Sequence, residues 1–198
     1  METILTREQV PIVQTLAAQE LDDFDSLVRQ HRSRIFRYIL ASLRDYDAAE
    51  TLTQDCFVRA YRARASFRGD ASVGTWLMQI AVNLVRSHVS SSRWKFWRQA
   101  ERTAIDASVA GDWLADRRGS PEAAAETQQQ VAAVWRAAES LSPRQRTVFL
   151  LRFVEDMDLL EIAAATGMKE GTVKTHLFRA LETVRAKVNV RGEENAAS

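Results

Sequence analysis

Apolar residues recur along this chain with the period of a helix, in two stretches. From about Asp23, the residues Phe24, Leu27, Val28, His31, Ile35, Tyr38 and Ile39 fall at i, i+3, i+4, i+7, i+11, i+14 and i+15. That spacing is one face of a long amphipathic helix. Asp47, with Glu50 three residues later, predicts the start of a second helix, because a short acceptor can cap free N–H groups. Leu52, Cys56 and Ala60 run along its inner face. Phe67-Arg68-Gly69-Asp70 breaks the pattern at a glycine suited to a turn. A third helix is predicted from Ser72, with Trp76, Leu77, Ile80, Ala81 and Leu84 inward, and Trp76 reads as core on burial statistics.

Periodicity weakens over 99–125, where Gly111, Gly119, Ser120 and Pro121 punctuate an Ala-rich stretch. This reads as a flexible linker with a helical turn near Trp113, since a loop so long is rare inside one packed unit. Helical patterning returns from about Glu126 to Val190. Ser142-Pro143-Arg144-Gln145 is a strong helix start: Ser142 caps, Pro143 takes the first helical position and Gln145 completes a capping box. Phe149, Leu150 and Phe153 continue the apolar face.

The segment Leu159–Val184 says most. Leu160–Thr166 predicts a short helix, and Gly167 permits the left-handed residue that ends it. In the helix after Met168 and Lys169, Val173, Leu177, Ala180, Leu181 and Val184 fall at i, i+4, i+7, i+8 and i+11. Burying them leaves Lys174, Thr175, Phe178 and Arg179 outward. Two helices joined by a short Gly turn, the second with a basic outer face, describe a helix-turn-helix. Such a face can send cations to phosphates and polar groups to base edges; a plain helical hairpin with a solvated face has the same pattern. No alternating β-type segment is seen, so the fold class is all-α, in two small helical domains joined by a flexible linker.

Composition narrows the function. The 198 residues contain one cysteine, Cys56, and three histidines, His31, His88 and His176, too far apart for a zinc site. A disulfide framework is excluded, and Cys56 reads as a small buried hydrophobe in a reducing compartment. No phosphate loop, catalytic nucleophile with its base or metal cluster is present, so neither an enzyme nor a cofactor is expected. No apolar run approaches the length of a membrane span and no secretory signal is visible, so no membrane insertion and a cytoplasmic location are expected. The net charge is +1, but it is a cancellation. Residues 1–26 sum to −5 and 106–130 to −3, while 84–105 and 168–191 each sum to +4. Two basic blocks on an acidic tether suit a nucleic-acid partner better than the total suggests.

The stretch SLSPRQRTVFLLRFVEDMDLLEIAAATGMKEGTVKTHLFRALETVR resembles region 4 of an extracytoplasmic-function (ECF) sigma factor of the sigma-70 superfamily. DAAETLTQDCF (Asp47–Phe57) resembles region 2.2, and FRGDASVGTWLMQIAVN (Phe67–Asn83) resembles regions 2.3 and 2.4. The resemblance divides the chain into an acidic extension (1–23), region 2 (24–98), a linker (99–130), region 4 (131–190) and a tail (191–198). It implies an RNA polymerase sigma factor directing promoter-specific initiation. The implied partners are core RNA polymerase through its β′ clamp helices and β flap, promoter DNA, and an anti-sigma factor, soluble or membrane-anchored.

Residue by residue, the resemblance puts core binding on Gln54, Asp55 and Arg59. It puts −10 recognition and melting on Phe67, Arg68, Asp70, Ser72, Asn83, Arg86 and Arg93, since rings, a turn and cations can hold unpaired bases. Lys95 and Arg98 join them as backbone contacts, with Trp94, Phe96 and Trp97 interleaved. The −35 element falls to Thr172, Lys174, Thr175, Phe178 and Arg179. The chain departs from the family at Thr51, where Asp is common, at Ser87 and Ser90, where Asp and Arg are common, and at His176, where Arg is common. Asp106, Asp112 and Asp116 read as parts of a soluble tether.

A different class remains open on the residues alone: an independent helix-turn-helix regulator with an N-terminal helical sensor domain, binding duplex DNA as a symmetric dimer. No dimerisation heptad or ligand pocket is evident for it.

Overall fold

The computed structural model describes residues 21–91 and 121–196, and these are helices joined by turns. Residues 1–20 of the acidic extension, the basic aromatic run from Arg93 to Arg98, Trp113 and the linker aspartates lie outside the described residues. The helices belong to two compact units.

The first unit contains α1 (Phe24–Leu43), α2 (Tyr46–Ala63), a 3-10 turn (Arg64–Ser66) and α3 (Val73–Ser90), each helix packing on the other two. Asp23 starts α1 by accepting the Ser26 N–H at 3.0 Å. The predicted stripe on α1 is the buried one at Leu27, Ile35, Tyr38 and Ile39, while Phe24, Val28 and His31 are half-buried at its margin. The three helices approach closely because α2 offers small residues to the centre: Ala49, Cys56 and Ala60 are fully buried. Leu77, Met78 and Ala81 of α3 meet them there, with the Cys56 thiol donating to the Leu77 carbonyl at 3.5 Å.

Three expectations shift in this unit. Helix α2 is capped by Asp45, which accepts the Ala48 N–H at 2.9 Å, and Asp47 lies inside the first turn. Glu50 is engaged elsewhere, paired with Arg32 of α1 at 2.6 Å, so no capping box forms at Asp47. Trp76 and Ile80 are half-buried instead of core. The expected start of α3 holds: Ser72 accepts the Thr75 N–H at 3.1 Å and the helix begins one residue later.

The chain from residue 121 on contains α4 (Pro121–Glu139), α5 (Pro143–Phe153), α6 (Leu159–Thr166) and α7 (Glu170–Ala196), with α7 packed on α4 and α5; of these the second unit holds all but Ala163–Gly167, which group with the first. Helix α4 reaches back over the segment read as linker up to residue 130. Its first half is rich in Ala, Glu and Gln, strong helix formers, with Pro121 at the tolerated first position. Helix α7 runs past Val190 to Ala196, so the expected tail at 191–198 is helical through Ala196. The capping box at Ser142 forms as expected, with the Gln145 side chain accepting the Ser142 N–H at 3.1 Å. Trp135, Ala138, Val148, Leu150, Leu151, Met157, Ile162, Val173, Ala180 and Val184 are buried. Phe153, expected inward, is 49% exposed, with its ring tilted at 47° against that of Phe149 at 4.8 Å. It is the last residue of α5, where the chain leaves the helix and turns through Asp156 at φ 51°.

Gly167 has φ +70°, and an added Cβ there would meet nothing within 4 Å. A side chain would therefore be penalised by backbone strain alone. Gly171, in the first turn of α7, has equally open surroundings and no such φ. Gly167→Ala is expected to lower the stability of the α6–α7 segment by about 1 kcal/mol, and Gly171→Ala to leave it unchanged or slightly raised. Amide hydrogen exchange in α5 and α7 checks the pair; equal effects would contradict the strain argument.

Burial pushes the Cys56 thiol up from 9.0 to about 12, against a smaller downward pull from Arg59. The folded thiol thus keeps its proton to higher pH than the unfolded one. Its contribution to stability is complete below pH 9 and is lost as pH rises toward 12. A thiol reagent at pH 8 is expected to leave the folded chain unmodified and to react fully in urea. Ready labelling of the folded chain would contradict the burial.

Candidate nucleic-acid interface

Three polar surfaces, two in the first unit and one on α7, carry the residues singled out in the sequence. On α2, Thr53, Cys56 and Ala60 turn inward, which sends Gln54, Asp55 and Arg59 to solvent, and all three are exposed. Val58 and Tyr61 share that outer side at 47% and 49% exposure. The sequence reading passed over both. Their signal was available: apolar residues standing off the buried period of an amphipathic helix. Thr51, a point of departure from the family pattern, donates its hydroxyl back to the Asp47 carbonyl at 2.9 Å.

The 3-10 turn and the loop after it lead from α2 to α3. Arg64 lies over the Tyr61 ring at 3.7 Å. Gly69 takes φ +74°, which is what the turn reading required. Arg68 and Asp70 are strongly exposed and pair with each other at 3.2 Å, an exposed bridge of small net worth. Phe67 is half-buried with its ring 5.1 Å from that of Trp76, at 51°. The loop therefore presents an aromatic pair beside two charges instead of a lone ring. The Ser72 hydroxyl is occupied as the cap of α3 and pairs with the Thr75 hydroxyl at 2.9 Å. Asn83 and Arg86 are exposed one turn apart, with Arg86 donating to the Asn83 side chain at 2.7 Å. Gln79, also exposed, extends them into a stripe at i, i+4 and i+7 that the sequence reading did not name. Arg93 lies outside the described residues.

In the second unit a local device sets each helix of the helix-turn-helix. Asp158 accepts the Glu161 N–H at 2.8 Å, and Glu161 accepts the Asp158 N–H at 3.0 Å. This reciprocal capping at the start of α6 was legible as Asp-x-x-Glu and was missed. Gly167 ends α6 by donating to the Ala163 carbonyl at 2.9 Å. Lys169 then accepts the N–H groups of Thr172 and Val173 as α7 begins.

On α7, Val173, Ala180 and Val184 are buried and Leu177 and Leu181 half-buried, close to the predicted stripe. Thr172, Lys174, Thr175, Phe178 and Arg179 are all exposed and form one continuous outer arc. Phe178 is 62% exposed, which is unusual for a ring with nothing to cover it. Two members are partly engaged: Lys174 pairs with Glu170 at 2.6 Å, and the Thr175 hydroxyl donates to the Gly171 carbonyl at 2.9 Å. His176 is half-buried beside the arc. A helix with a guanidinium, hydroxyls and a ring on one face offers phosphate contacts, base-edge hydrogen bonds and an apolar surface for thymine methyls. Among the described residues no cluster of three metal-ligating side chains occurs, and no helix is long and apolar enough to cross a membrane.

Comparison with known proteins follows the same division. The family model for sigma-70 region 2 matches residues 27–95, and that for sigma-70 region 4 matches residues 132–184. The chain is 32% identical over 183 residues to RNA polymerase sigma-H factor of Pseudomonas aeruginosa, covering 91% of this chain and 94% of the relative. It is 29% identical over 169 residues to ECF RNA polymerase sigma-E factor of Escherichia coli, covering 83% and 86%. Two solved structures share the fold. The sigma factor RpoE in complex with the anti-sigma factor NepR, from Bartonella quintana, matches with a TM-score of 0.61 at 21% identity, covering 85% of this chain and 98% of that one. CnrH in complex with the cytosolic domain of CnrY matches with a TM-score of 0.61 at 22% identity, covering 89% and 96%.

Proposed function

This chain belongs to the ECF sigma factors of the sigma-70 family, and on that premise we propose how its two units share the work of promoter-specific initiation. The α2 face of Gln54, Asp55 and Arg59 takes the β′ clamp helices of core RNA polymerase, and the second unit takes the β flap. The loop from Phe67 to Ser72, with Asn83, Arg86 and Arg93, takes the −10 element and holds its strands apart. Thr172, Lys174, Thr175, Phe178 and Arg179 take the −35 element in the major groove. An anti-sigma factor, soluble or membrane-anchored, holds the chain inactive, as a partner of that kind binds the similar RpoE. The site of action is the cytoplasm, where polymerase and promoter meet.

The observation that carries this reading is the outer arc of α7. Its residues are exposed together on a helix that follows a left-handed Gly turn, and the matching family model is region 4. Arg179 ranks first within the arc because Lys174 is already paired with Glu170. The −10 surface is supported by the half-buried Phe67–Trp76 pair, whose uncovered part can receive an unstacked base next to Arg68. Sigma factors act as specificity subunits of the polymerase, and no residue here is assigned a catalytic role.

Arg179→Ala is expected to weaken use of the cognate −35 element by about 10-fold or more, the worth of one base-reading or phosphate contact. Core-polymerase affinity should not change. Promoter binding by the reconstituted holoenzyme, beside core affinity measured by fluorescence anisotropy, checks both halves. Lost core affinity would contradict the assignment.

The double variant Gln54→Ala, Asp55→Ala is expected to behave in reverse. Affinity for core should fall while helix content and thermal midpoint stay put, since both side chains are exposed. Full retention of polymerase in a pull-down would refute the α2 surface.

A further inference from the structure

Two of the exposed large apolar residues of the first unit, Val58 and Tyr61, stand together at one groove, while Tyr46 lies apart against Phe36. Phe24, in the first turn of α1, and Phe57, Val58, Tyr61 and Arg62 of α2 line a groove of about 400 Å³. The Phe24 ring stands edge-on to Phe57 at 6.5 Å and to Tyr61 at 5.1 Å. Val58 and Tyr61 are each about half exposed, so the groove leaves apolar area in water that a covering segment would recover.

The path of the chain points to the cover. Residues 1–20 lie outside the described part and rejoin it at Leu21, which is buried at 8% exposure and three residues before Phe24. The segment thus begins at the rim of the groove and needs no tether to reach it, which makes its docking intramolecular at high effective concentration. Its composition matches the groove. It carries Ile4, Leu5, Val10, Ile12, Val13 and Leu16, with Glu2, Glu8 and Glu20 against Arg7. The groove is apolar with Arg62 on its lining, and Arg59 and Arg64 stand exposed on the adjoining turns. An apolar segment of net negative charge is thus joined to the chain next to an apolar groove with Arg59, Arg62 and Arg64 on its α2 side and exposed Asp22, Asp23 and Asp25 beside Phe24.

We propose that Met1–Glu20 docks into the α1–α2 groove of Phe24, Phe57, Val58 and Tyr61 and competes there with any partner of the α2 face that carries Gln54, Asp55 and Arg59. The competition rests on the reading of that face as the polymerase surface, whereas the docking stands on the groove and the segment alone.

A nitroxide placed at Gln9→Cys in the full-length chain tests the docking, because buried Cys56 leaves the new thiol as the one that reacts. The amide resonances of Phe57, Val58 and Tyr61 should be lost to paramagnetic broadening and return when the nitroxide is reduced. Val58→Glu, at a half-exposed position, should restore them without reduction. Sharp resonances in the labelled parent chain, or broadening that persists in Val58→Glu, overturn the proposal. The competition is read from core-polymerase affinity of the double variant Val13→Glu, Leu16→Glu, which should be several-fold tighter than the parent chain. Unchanged or weaker affinity, with the parent still binding core, overturns it. A parent chain that does not bind core at all counts against the polymerase reading and leaves the docking result to stand.

Discussion

Every surface that these two units offer is held in place by a narrow apolar stripe on the far side of its helix. Leu77, Met78 and Ala81 fix α3 and so aim Asn83 and Arg86; Cys56 and Ala60 fix α2 and so aim Gln54, Asp55 and Arg59. Val173, Ala180 and Val184 do the same for the arc of α7. Fully burying a side chain such as Leu77 or Val173 is worth about 1.5–3 kcal/mol. A three-helix unit has few of them to spend against chain entropy, which leaves no redundancy in the stripe. The outward residues contribute little to the fold, so their chemistry can change without cost to it.

The turns add what the stripes cannot. Burial says which face of a helix is inward, but not where the next helix begins. Gly167 at φ +70° and the reciprocal capping of Asp158 and Glu161 set the spacing of α6 and α7. Gly69 and the Ser72 cap set the start of α3 relative to the aromatic pair of Phe67 and Trp76. In both units the nucleic-acid candidates follow directly on such a turn, so the geometry of a few backbone residues decides whether they face a common target.

Much of this was legible because it is local. The Ser142 capping box, the two left-handed glycines, the Ser72 start of α3 and the buried stripe of α7 each depend on residues within one or two turns. What was misread depends on distance. Asp45 and Asp47 are equally able caps on paper, and the choice is tied to Arg32, eighteen residues from Glu50, which draws that carboxylate away. Phe153 follows the helical period but is the last residue of α5, so the period no longer places it inward. The start of α4 was hidden because Ala, Glu and Gln favour a helix without marking a face. The outward polar positions follow from the helical period, whereas Val58, Tyr61 and Gln79 beside them, and the pairings of Lys174 with Glu170 and Asn83 with Arg86, were not drawn from the sequence, although the spacing of four and three residues permitted the pairings.

The net charge of +1 joins these threads. Because 27 cations are offset by 26 carboxylates, neither surface is expected to hold DNA tightly on its own. The account therefore has the chain meeting promoters as a subunit of the polymerase, and not as a free DNA-binding regulator. The direct measurement is permanganate reactivity of unpaired thymines in a cognate promoter fragment with the chain alone, with core polymerase alone and with both. The account predicts reactivity around −10 only when both are present, with little shift of the DNA by the chain alone. Tight, symmetric binding of duplex DNA by the isolated chain, with no opening on addition of core, would contradict it.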